Sequence, residues 1–258
     1  MLVAWIDALG SFAIDTCRRM GGFGMFAYEA MAVLFTTKLK TKKVFYQINY
    51  IGINSLGIVC LVGATVGAVL ALQSYIGLAR FGSTQYIGPI VFLAMTREFG
   101  PVFTAIMVIG RAGSAMTAEL GSMRISEQIE ALQTLCIDPV QYLVVPRIVA
   151  STIILSFLSI FCTLCGTLAG YMTAVYVLNI SGEMYMETIR SNVELSDIVN
   201  GLIKAVIFGF LFSVIATYKG FFTKGGARGL GLATTQSVVY ANVTIIIADY
   251  ILTSLMFR

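Results

Sequence analysis

The chain has 258 residues, of which 58% are hydrophobic and only 12% are charged. Soluble domains have about 45–50% apolar and about 25% charged residues, so this chain has too little polar surface to cover a soluble core. The composition therefore indicates a polytopic membrane protein. It excludes a secreted disulfide scaffold, a disordered regulator and a nucleic-acid-binding protein. The formal net charge of +4 is small, so the positions of the charges carry more information than their sum.

Several kinds of catalytic and metal site are also excluded. The sequence has no histidine and no Gly-Lys dipeptide, which leaves no catalytic triad, no histidine metal site and no Walker-type nucleotide loop. Cys162 and Cys165 have CxxC spacing, but they lie in the middle of a long apolar run. Small apolar side chains in a membrane helix are the simpler interpretation of that pair. We therefore predict no catalytic residue, no metal site and no cofactor bound by this chain itself.

Five apolar stretches are long enough to cross a membrane, since a spanning helix needs about 20 apolar residues. They lie at about residues 50–78, 87–110, 148–178, 198–218 and 235–257. If the spans alternate in direction, twelve of the seventeen Lys and Arg residues fall on one side. Because short loops rich in Lys and Arg remain in the cytoplasm, we expect a cytoplasmic N-terminus and a periplasmic C-terminus.

Residues 1–47 are predicted to form a cytoplasmic interfacial arm, followed by a transmembrane domain at 48–258. Polar and apolar side chains alternate at helical spacing near the start of the chain. The polar face is Asp7, Ser11, Asp15 and Arg18, and the apolar face is Leu2, Trp5, Ile6, Leu9 and Phe12. This pattern predicts an amphipathic helix in the membrane interface. Residues 23–37 are apolar but too short to cross, which predicts a second interfacial or half-buried segment.

The second predicted span has Arg97 and Glu98 near its middle. On insertion scales, charged groups at that depth cost about 2.5–3.5 kcal/mol each, so compensating partners must exist. Lys204, in the fourth span, is the natural partner for Glu98 across a cavity that opens outward. Arg97 would then face water, a partner subunit or an anionic ligand. A buried ion pair that only fixes helix register remains an alternative to a binding role.

Two further features belong to the same region of the spans. Pro101 lacks a backbone N–H, so it frees the carbonyl of Arg97 and favours a kink there. Asp249 in the fifth span is a weaker candidate for the polar centre.

Glycines spaced four apart occur in the first and third spans, at Gly63 and Gly67 and at Gly166 and Gly170. Small residues at this spacing let two helices approach closely. Packing inside one subunit and contact between two subunits are both compatible with the pattern.

The connection at 111–147 is unusual, because a simple loop between spans is short and polar. Ile125, Ile129 and Leu132 recur on one helical face, and Asp138-Pro139 then ends the helical pattern. We predict an amphipathic cytoplasmic helix that forms a docking surface for a soluble partner.

A set of motifs in these segments resembles the MlaE family of permeases, the membrane subunits of ATP-binding-cassette (ABC) transporters for lipids. The matching residues are Arg97-Glu98-Phe99-Gly100-Pro101-Val102, Gly110-Arg111-Ala112-Gly113-Ser114-Ala115, Thr117-Ala118-Glu119, Glu127-Gln128 with Ala131, Asp138-Pro139, Pro146-Arg147, and Ala233-Thr234-Thr235 with Ser237-Val238-Val239. The resemblance covers about residues 45–258. The N-terminal arm resembles the family only in its general character and shares none of these motifs.

This resemblance implies an all-α membrane protein with an N-terminal interfacial amphipathic helix, five transmembrane helices and a cytoplasmic coupling helix between the second and third. It implies a homodimer in the bacterial inner membrane that works with a cytoplasmic ABC ATPase, which binds ATP and Mg. Further implied partners are a periplasmic MCE-domain lipid-binding protein and a small STAS-domain protein. The implied substrate is phospholipid, moved between the inner and outer membranes of a Gram-negative cell to maintain outer-membrane lipid asymmetry.

The resemblance also assigns candidate residues. The coupling helix would lie at about Glu119–Leu135, and candidate contacts to the ATPase are Arg111, Glu119, Arg124, Glu127 and Glu130. The substrate pathway would comprise Arg97, Glu98 and Lys204 for the headgroup region, and Leu70, Tyr75 and Leu78 for the acyl chains.

Other classes of protein fit the sequence less well. An ion-coupled secondary carrier would use Glu98 or Asp249 as a titrating group, but inverted repeats are not evident. A membrane-embedded enzyme would need a nucleophile and base or a metal constellation, and no such cluster is visible. A purely structural scaffold would not need charges at mid-membrane.

Overall fold

The computed structural model describes residue 17, residues 21–37 and residues 39–256. Within these residues the chain is helical apart from short connections and has no β-strand, which confirms the predicted all-α class. The amphipathic helix predicted from Leu2 to Arg18 lies outside the described residues.

Eight helices follow one another in the described part of the chain. They are α1 (21–36), α2 (Thr41–Ala79), α3 (Thr84–Ile125), α4 (Gln128–Thr134), α5 (Val140–Val177), α6 (Gly182–Asn192), α7 (Leu195–Phe221) and α8 (Gly226–Met256). Five of these, α2, α3, α5, α7 and α8, are long and apolar enough to cross a membrane. The predicted number of spans is therefore confirmed.

The helices extend beyond the apolar stretches that predicted them. α2 begins at Thr41 rather than near residue 50, so the proposed boundary at residue 48 falls inside this helix. α3 continues to Ile125, and α8 begins at Gly226 rather than near residue 235. Apolar composition marks only the part of a helix that lies in hydrocarbon, about 30 Å. The polar ends therefore escape a prediction based on hydropathy, and most of the connection predicted after residue 110 is helix.

Glycines bring α2 and α5 into backbone contact. A Cβ on Gly67 would overlap the carbonyl oxygen of Gly166, and one on Gly63 would lie 2.5 Å from the carbonyl oxygen of Cys162. From the other side, a Cβ on Gly170 would lie 3.2 Å from the carbonyl oxygen of Gly67. Both glycine pairs therefore pack against each other inside one chain. Cys162 is buried in this helix contact.

α1 packs against the end of α7 through aromatic side chains. Phe26 is 3% exposed, and its ring centroid lies 5.5 Å from that of Tyr218 and 5.7 Å from that of Phe222. On the other face of α1, Tyr28 and Phe35 are exposed. The segment predicted at 23–37 is therefore half-buried.

The predicted connection at 179–197 contains a helix, α6, that was not predicted. Its anchor is Tyr185, which is 1% exposed and stacks edge-on with Tyr171 at 5.5 Å between ring centroids. A Cβ on Gly88 would lie 2.8 Å from the carbonyl oxygen of Tyr185, so α6 lies directly on the start of α3. Burial raises the pKa of Tyr185 to about 12, which keeps this phenol neutral.

Candidate substrate pathway and coupling surface

The centre of the candidate pathway is Lys204 on α7, whose side chain is fully buried. Its Nζ lies 2.6 Å from Glu98 Oε2, 3.0 Å from Asp249 Oδ1 and 2.7 Å from Thr253 Oγ1. An ammonium group has three N–H donors, and these three acceptors match them. The contact between Glu98 and Lys204 that the sequence predicted is present, and Asp249 and Thr253 complete it.

This ion cluster, defined as Glu98, Lys204, Asp249 and Thr253, joins three spanning helices. Thr253 also lies 3.2 Å from Glu98 Oε1, so α3 and α8 contact each other directly as well as through Lys204. Removing an ion from water costs several kcal/mol unless it is paired and hydrogen-bonded, and these contacts supply that compensation. The side chains of Glu98 and Asp249 remain 32% and 23% exposed. The cluster is therefore closed around Lys204 but open on the side of the two carboxylates.

Local backbone geometry positions Glu98. Residues Met95–Phe99 form a wide π-helical turn, in which the Gly100 N–H bonds the carbonyl of Met95. Such turns are frequent at functional sites, because they rotate the side chains that follow. The irregularity expected near Pro101 therefore takes the form of a wide turn just before it.

The approach of α7 to this wide turn depends on a second glycine contact. A Cβ on Gly201 would overlap the carbonyl oxygen of Thr96. The absence of a side chain at Gly201 lets α7 touch the backbone of α3, and this places Lys204, one turn later, beside Glu98.

Arg97 has a partner within the chain, which the sequence analysis missed. Its Nη2 lies 2.5 Å from Oδ1 of Asp197, and Asp197 is 3% exposed. The other carboxylate oxygen of Asp197 accepts a hydrogen bond from the backbone N–H of Glu194 at 3.1 Å, which caps the start of α7. The expectation that Arg97 faces water, a partner subunit or an anionic ligand did not include this partner within the chain. Asp197 was overlooked because it was assigned to the outer connection, although an acidic residue at the start of a span is a helix-start signal.

Accessibility differs between the two cations proposed for headgroup binding. The Arg97 side chain is 35% exposed, whereas that of Lys204 is fully buried. Of these two cations, Arg97 is therefore the one whose side chain is accessible at the surface of the described chain.

The residues predicted to line the acyl-chain path lie on α2. Leu70, Tyr75 and Leu78 are partly buried and pack against the main apolar core. Among their neighbours on the same helix, Leu72 and Ile76 are exposed. The structure does not bring the three predicted residues into the ion cluster.

The candidate coupling residue Arg111 lies in a second wide turn of α3, over Ile109–Gly113. Its Nε donates to Ser55 Oγ at 3.0 Å, and its Nη2 donates to the carbonyl of Tyr50 at 2.8 Å. Arg111 therefore ties α3 to α2.

The predicted single coupling helix at Glu119–Leu135 is wrong, because the segment is two helices. α3 ends at Ile125, Glu127 adopts a left-handed φ of 58°, and α4 then begins at Gln128. Ile129 is fully buried and anchors α4.

Two ion pairs brace the turn between α3 and α4. Arg124 Nη1 lies 2.7 Å from Glu130 Oε1 across the turn. Glu119 Oε2 lies 2.8 Å from Nη2 of Arg147, a buried residue at the start of α5 that also donates to the carbonyl of Leu143. Of the five candidate coupling residues, Glu127 is left exposed at the turn without a hydrogen bond or ion pair from its side chain among the described residues. These two pairs link α3 to α4 and to α5.

Five membrane-length helices, an ion cluster shared by three of them and a braced polar turn after the second define a multi-pass membrane transport subunit. The family model of the permease MlaE matches residues 44–255. The chain therefore belongs to the MlaE permease family, as its motifs predicted. It is a permease, a transport component rather than an enzyme.

Two relatives are similar over the whole chain and a third over most of it. A probable ABC transporter permease protein of Rickettsia typhi is 37% identical over 100% of both chains. The intermembrane phospholipid transport system permease protein MlaE of Haemophilus influenzae is 35% identical over 100% of this chain and 99% of that protein. The chloroplastic protein TRIGALACTOSYLDIACYLGLYCEROL 1 of Arabidopsis thaliana is 38% identical over 86% of this chain and 63% of that protein. The spans and the Haemophilus relative together indicate a multi-pass inner-membrane protein.

Proposed function

We propose that this chain is the membrane-spanning permease of an ABC transporter that moves phospholipid between the inner and outer membranes of a Gram-negative bacterium. By doing so it would help to maintain the lipid asymmetry of the outer membrane. The observation that carries the proposal is the end-to-end similarity to the Haemophilus permease, whose name states intermembrane phospholipid transport.

The open side of the ion cluster supports a homodimer. Glu98, Asp249 and Arg97 are each partly exposed at the surface of a single chain. Charged groups at membrane depth face a protein interior or a water-filled cavity rather than lipid. A second copy that covers this face would enclose a cavity between the two chains, with the carboxylates and Arg97 at its wall. In this arrangement Arg97 is the first contact of an anionic headgroup, and the surface of α2 around Leu70, Tyr75 and Leu78 guides the acyl chains.

The turn between α3 and α4 supports the coupling role. Its charged residues are on the side that the distribution of Lys and Arg assigns to the cytoplasm. We propose that a soluble ABC ATPase, which binds ATP and Mg, docks on the exposed part of this turn around Glu127. The pairs Glu119–Arg147 and Arg124–Glu130 would then transmit its movement to α5 and α3.

The remaining partners are those that the family resemblance implies, and the topology gives their sides of the membrane. With the N-terminus in the cytoplasm and the C-terminus in the periplasm, α6 faces the periplasm, where an MCE-domain lipid-binding protein would receive or deliver the lipid. A small STAS-domain protein would sit on the ATPase.

The test is affinity purification in mild detergent after co-expression with the chromosomal neighbours of this chain, followed by mass spectrometry of the bound proteins and lipids. We expect an ATPase, an MCE-domain protein and phospholipid. Recovery of the chain without an ATPase would contradict the proposal and would favour the alternative, an ion-coupled carrier of lipids in which Glu98 or Asp249 titrates.

A further inference from the structure

A cavity of about 320 Å³ lies between the end of α7 and the start of α8. Its volume falls in the range of small-molecule sites, about 300–1,000 Å³. The α8 wall is one continuous helical face, since its lining residues recur at helical spacing. They are Gly229, Leu232, Ala233 and Gln236, and the opposite wall and the connecting turn provide Tyr218, Lys219, Phe222, Thr223 and Lys224.

The cavity is cationic. Lys219 and Lys224 line it, and Arg228 is exposed one turn into α8. The sequence has no Asp or Glu between Ile198 and Ala248. Within the described residues, neither Lys224 nor Arg228 forms an ion pair. The local charge is therefore positive, and no ion pair among the described residues neutralises Lys224 or Arg228.

Contacts within the cavity hold its cationic wall in place. Lys219 Nζ lies 3.2 Å from Gln236 Oε1 and 4.3 Å from the centroid of the Tyr240 ring. The turn between α7 and α8 is also constrained, because Gly225 and Gly226 have φ values of 92° and 62°, which favour glycine. A Cβ on Gly229 would overlap the carbonyl oxygen of Lys224, so that turn closes tightly on the start of α8.

An apolar stripe runs from the cavity along α8 into the membrane. Leu232 lines the cavity and is 57% exposed, and Val239 and Val243, which follow on the same face, are 52% and 50% exposed. A phospholipid whose phosphate lies in the cavity would therefore have its acyl chains beside an apolar helix face. The cavity lies at the opposite ends of α7 and α8 from the ion cluster, so the two sites are separate.

We propose that this cavity binds the phosphate headgroup of an anionic phospholipid of the cytoplasmic leaflet, as a resident lipid distinct from the transported one. Basic pockets between spanning helices on the cytoplasmic side are the usual sites for such headgroups. The inference rests on the membrane orientation given under the proposed function. It does not depend on which lipid the permease transports.

The test uses the permease in complex with its co-purified partners, reconstituted in phosphatidylcholine nanodiscs. A photoactivatable phosphatidylglycerol is added in small amount, and labelled peptides are located by mass spectrometry. We expect labelling of α8 around Leu232 in the wild type, with little labelling by the matching phosphatidylcholine probe. The variant carrying Lys219→Gln and Lys224→Gln should lose about 25-fold in labelling, since each Lys near an anionic headgroup contributes about fivefold.

Two control variants distinguish a specific binding site from a general effect of positive charge. Lys40→Gln with Lys42→Gln removes the same charge from another part of the cytoplasmic side and should leave labelling unchanged. Lys219→Arg with Lys224→Arg should retain it.

Four results would overturn the inference. The first two are equal labelling by both probes and labelling that survives the double Gln substitution. The third is displacement of the lipid by millimolar inorganic phosphate, which would assign the cavity to a soluble anion. The fourth is absence of α8 labelling in the wild type, which would indicate that a second copy covers the cavity. ATPase co-purification is measured on the same samples, so failure of the proposed function is seen separately from failure of the lipid site.

Discussion

At the scale of single residues, the charges in the membrane are interdependent. Lys204 contacts both Glu98 and Asp249, so reversing any one of these three charges creates a contact between like charges. Breaking a buried ion pair from one side typically costs about 3–5 kcal/mol. Asp249 therefore decides how much stability remains when the charges of Glu98 and Lys204 are exchanged.

The first prediction concerns that swap. Glu98→Lys with Lys204→Glu should recover only part of the stability that Lys204→Glu alone loses, because the carboxylate introduced at position 204 still faces Asp249. Adding Asp249→Asn removes that repulsion and should restore part of the thermal stability of the detergent-purified protein. Asp249→Asn alone is the control and should be mild, because Asn keeps an oxygen acceptor for Lys204 and Glu98 still supplies the opposite charge. If the double swap is stable without the third change, Asp249 does not belong to the cluster in solution.

Sequence reasoning found part of this site. Arg97, Glu98 and Lys204 were identified because charges inside apolar spans are conspicuous. Thr253 was missed, because a Thr in an apolar helix, unlike a charged residue, costs too little free energy to stand out in the sequence. The face of Asp249 depends on the crossing of α7 and α8, which no local pattern specifies. Asp197 was missed because the span was predicted to begin after it.

At the scale of helices, the contact of α2 with α5 depends on two glycine backbones. Gly67→Ala would drive a methyl group into the carbonyl oxygen of Gly166, so the helices must separate. Overpacking of this kind costs about 1–3 kcal/mol, and the temperature of unfolding should fall.

Gly57→Ala in the same helix is the matched control for this second prediction. A Cβ at Gly57 has no atom within 4 Å, and Ala is favoured over Gly in a helix by about 1 kcal/mol, so stability should be unchanged or raised. Equal losses for Gly57→Ala and Gly67→Ala would contradict the packing account.

The third prediction tests the turn between α3 and α4. Glu127 is exposed, so Glu127→Lys should weaken co-purification of the ATPase by about tenfold, as expected for a loss of about 1.4 kcal/mol, without lowering thermal stability. Glu187→Lys on α6, also exposed, makes the same change at the other end of the molecule and should bind the ATPase normally. ATPase recovery that is the same for both variants would remove Glu127 from the docking surface.

The limits of prediction at this scale have one physical cause. The break at Glu127 and the extra helix α6 lie in polar segments, where helix boundaries depend on a few hydrogen bonds and on anchors such as Ile129 and Tyr185. Burial of those anchors is a property of the folded chain. Hydropathy instead locates the middle of each span, where the free energy of transferring a side chain from water to lipid matters most.

At the scale of the whole molecule, the proposed orientation puts the turn between α3 and α4 in the cytoplasm and α6 in the periplasm. Cys136, just after α4, is exposed. In a Cys17→Ser background, an impermeant maleimide should label Cys136 in inside-out vesicles but not in spheroplasts. Ser191→Cys on α6, made with Cys17→Ser and Cys136→Ser, should give the reverse result. Labelling of Cys136 from the periplasmic side would invert the topology and with it the coupling surface.

The central claim is that ATP hydrolysis in a partner drives phospholipid movement through this permease. The most direct measurement is transfer of a fluorescent phospholipid in proteoliposomes that contain this chain with its ATPase and MCE-domain partners. We predict transfer that requires ATP, persists when proton and sodium gradients are collapsed, and falls with Glu98→Lys. Transfer that continues without ATP and stops when those gradients are collapsed would contradict the account and would identify an ion-coupled carrier.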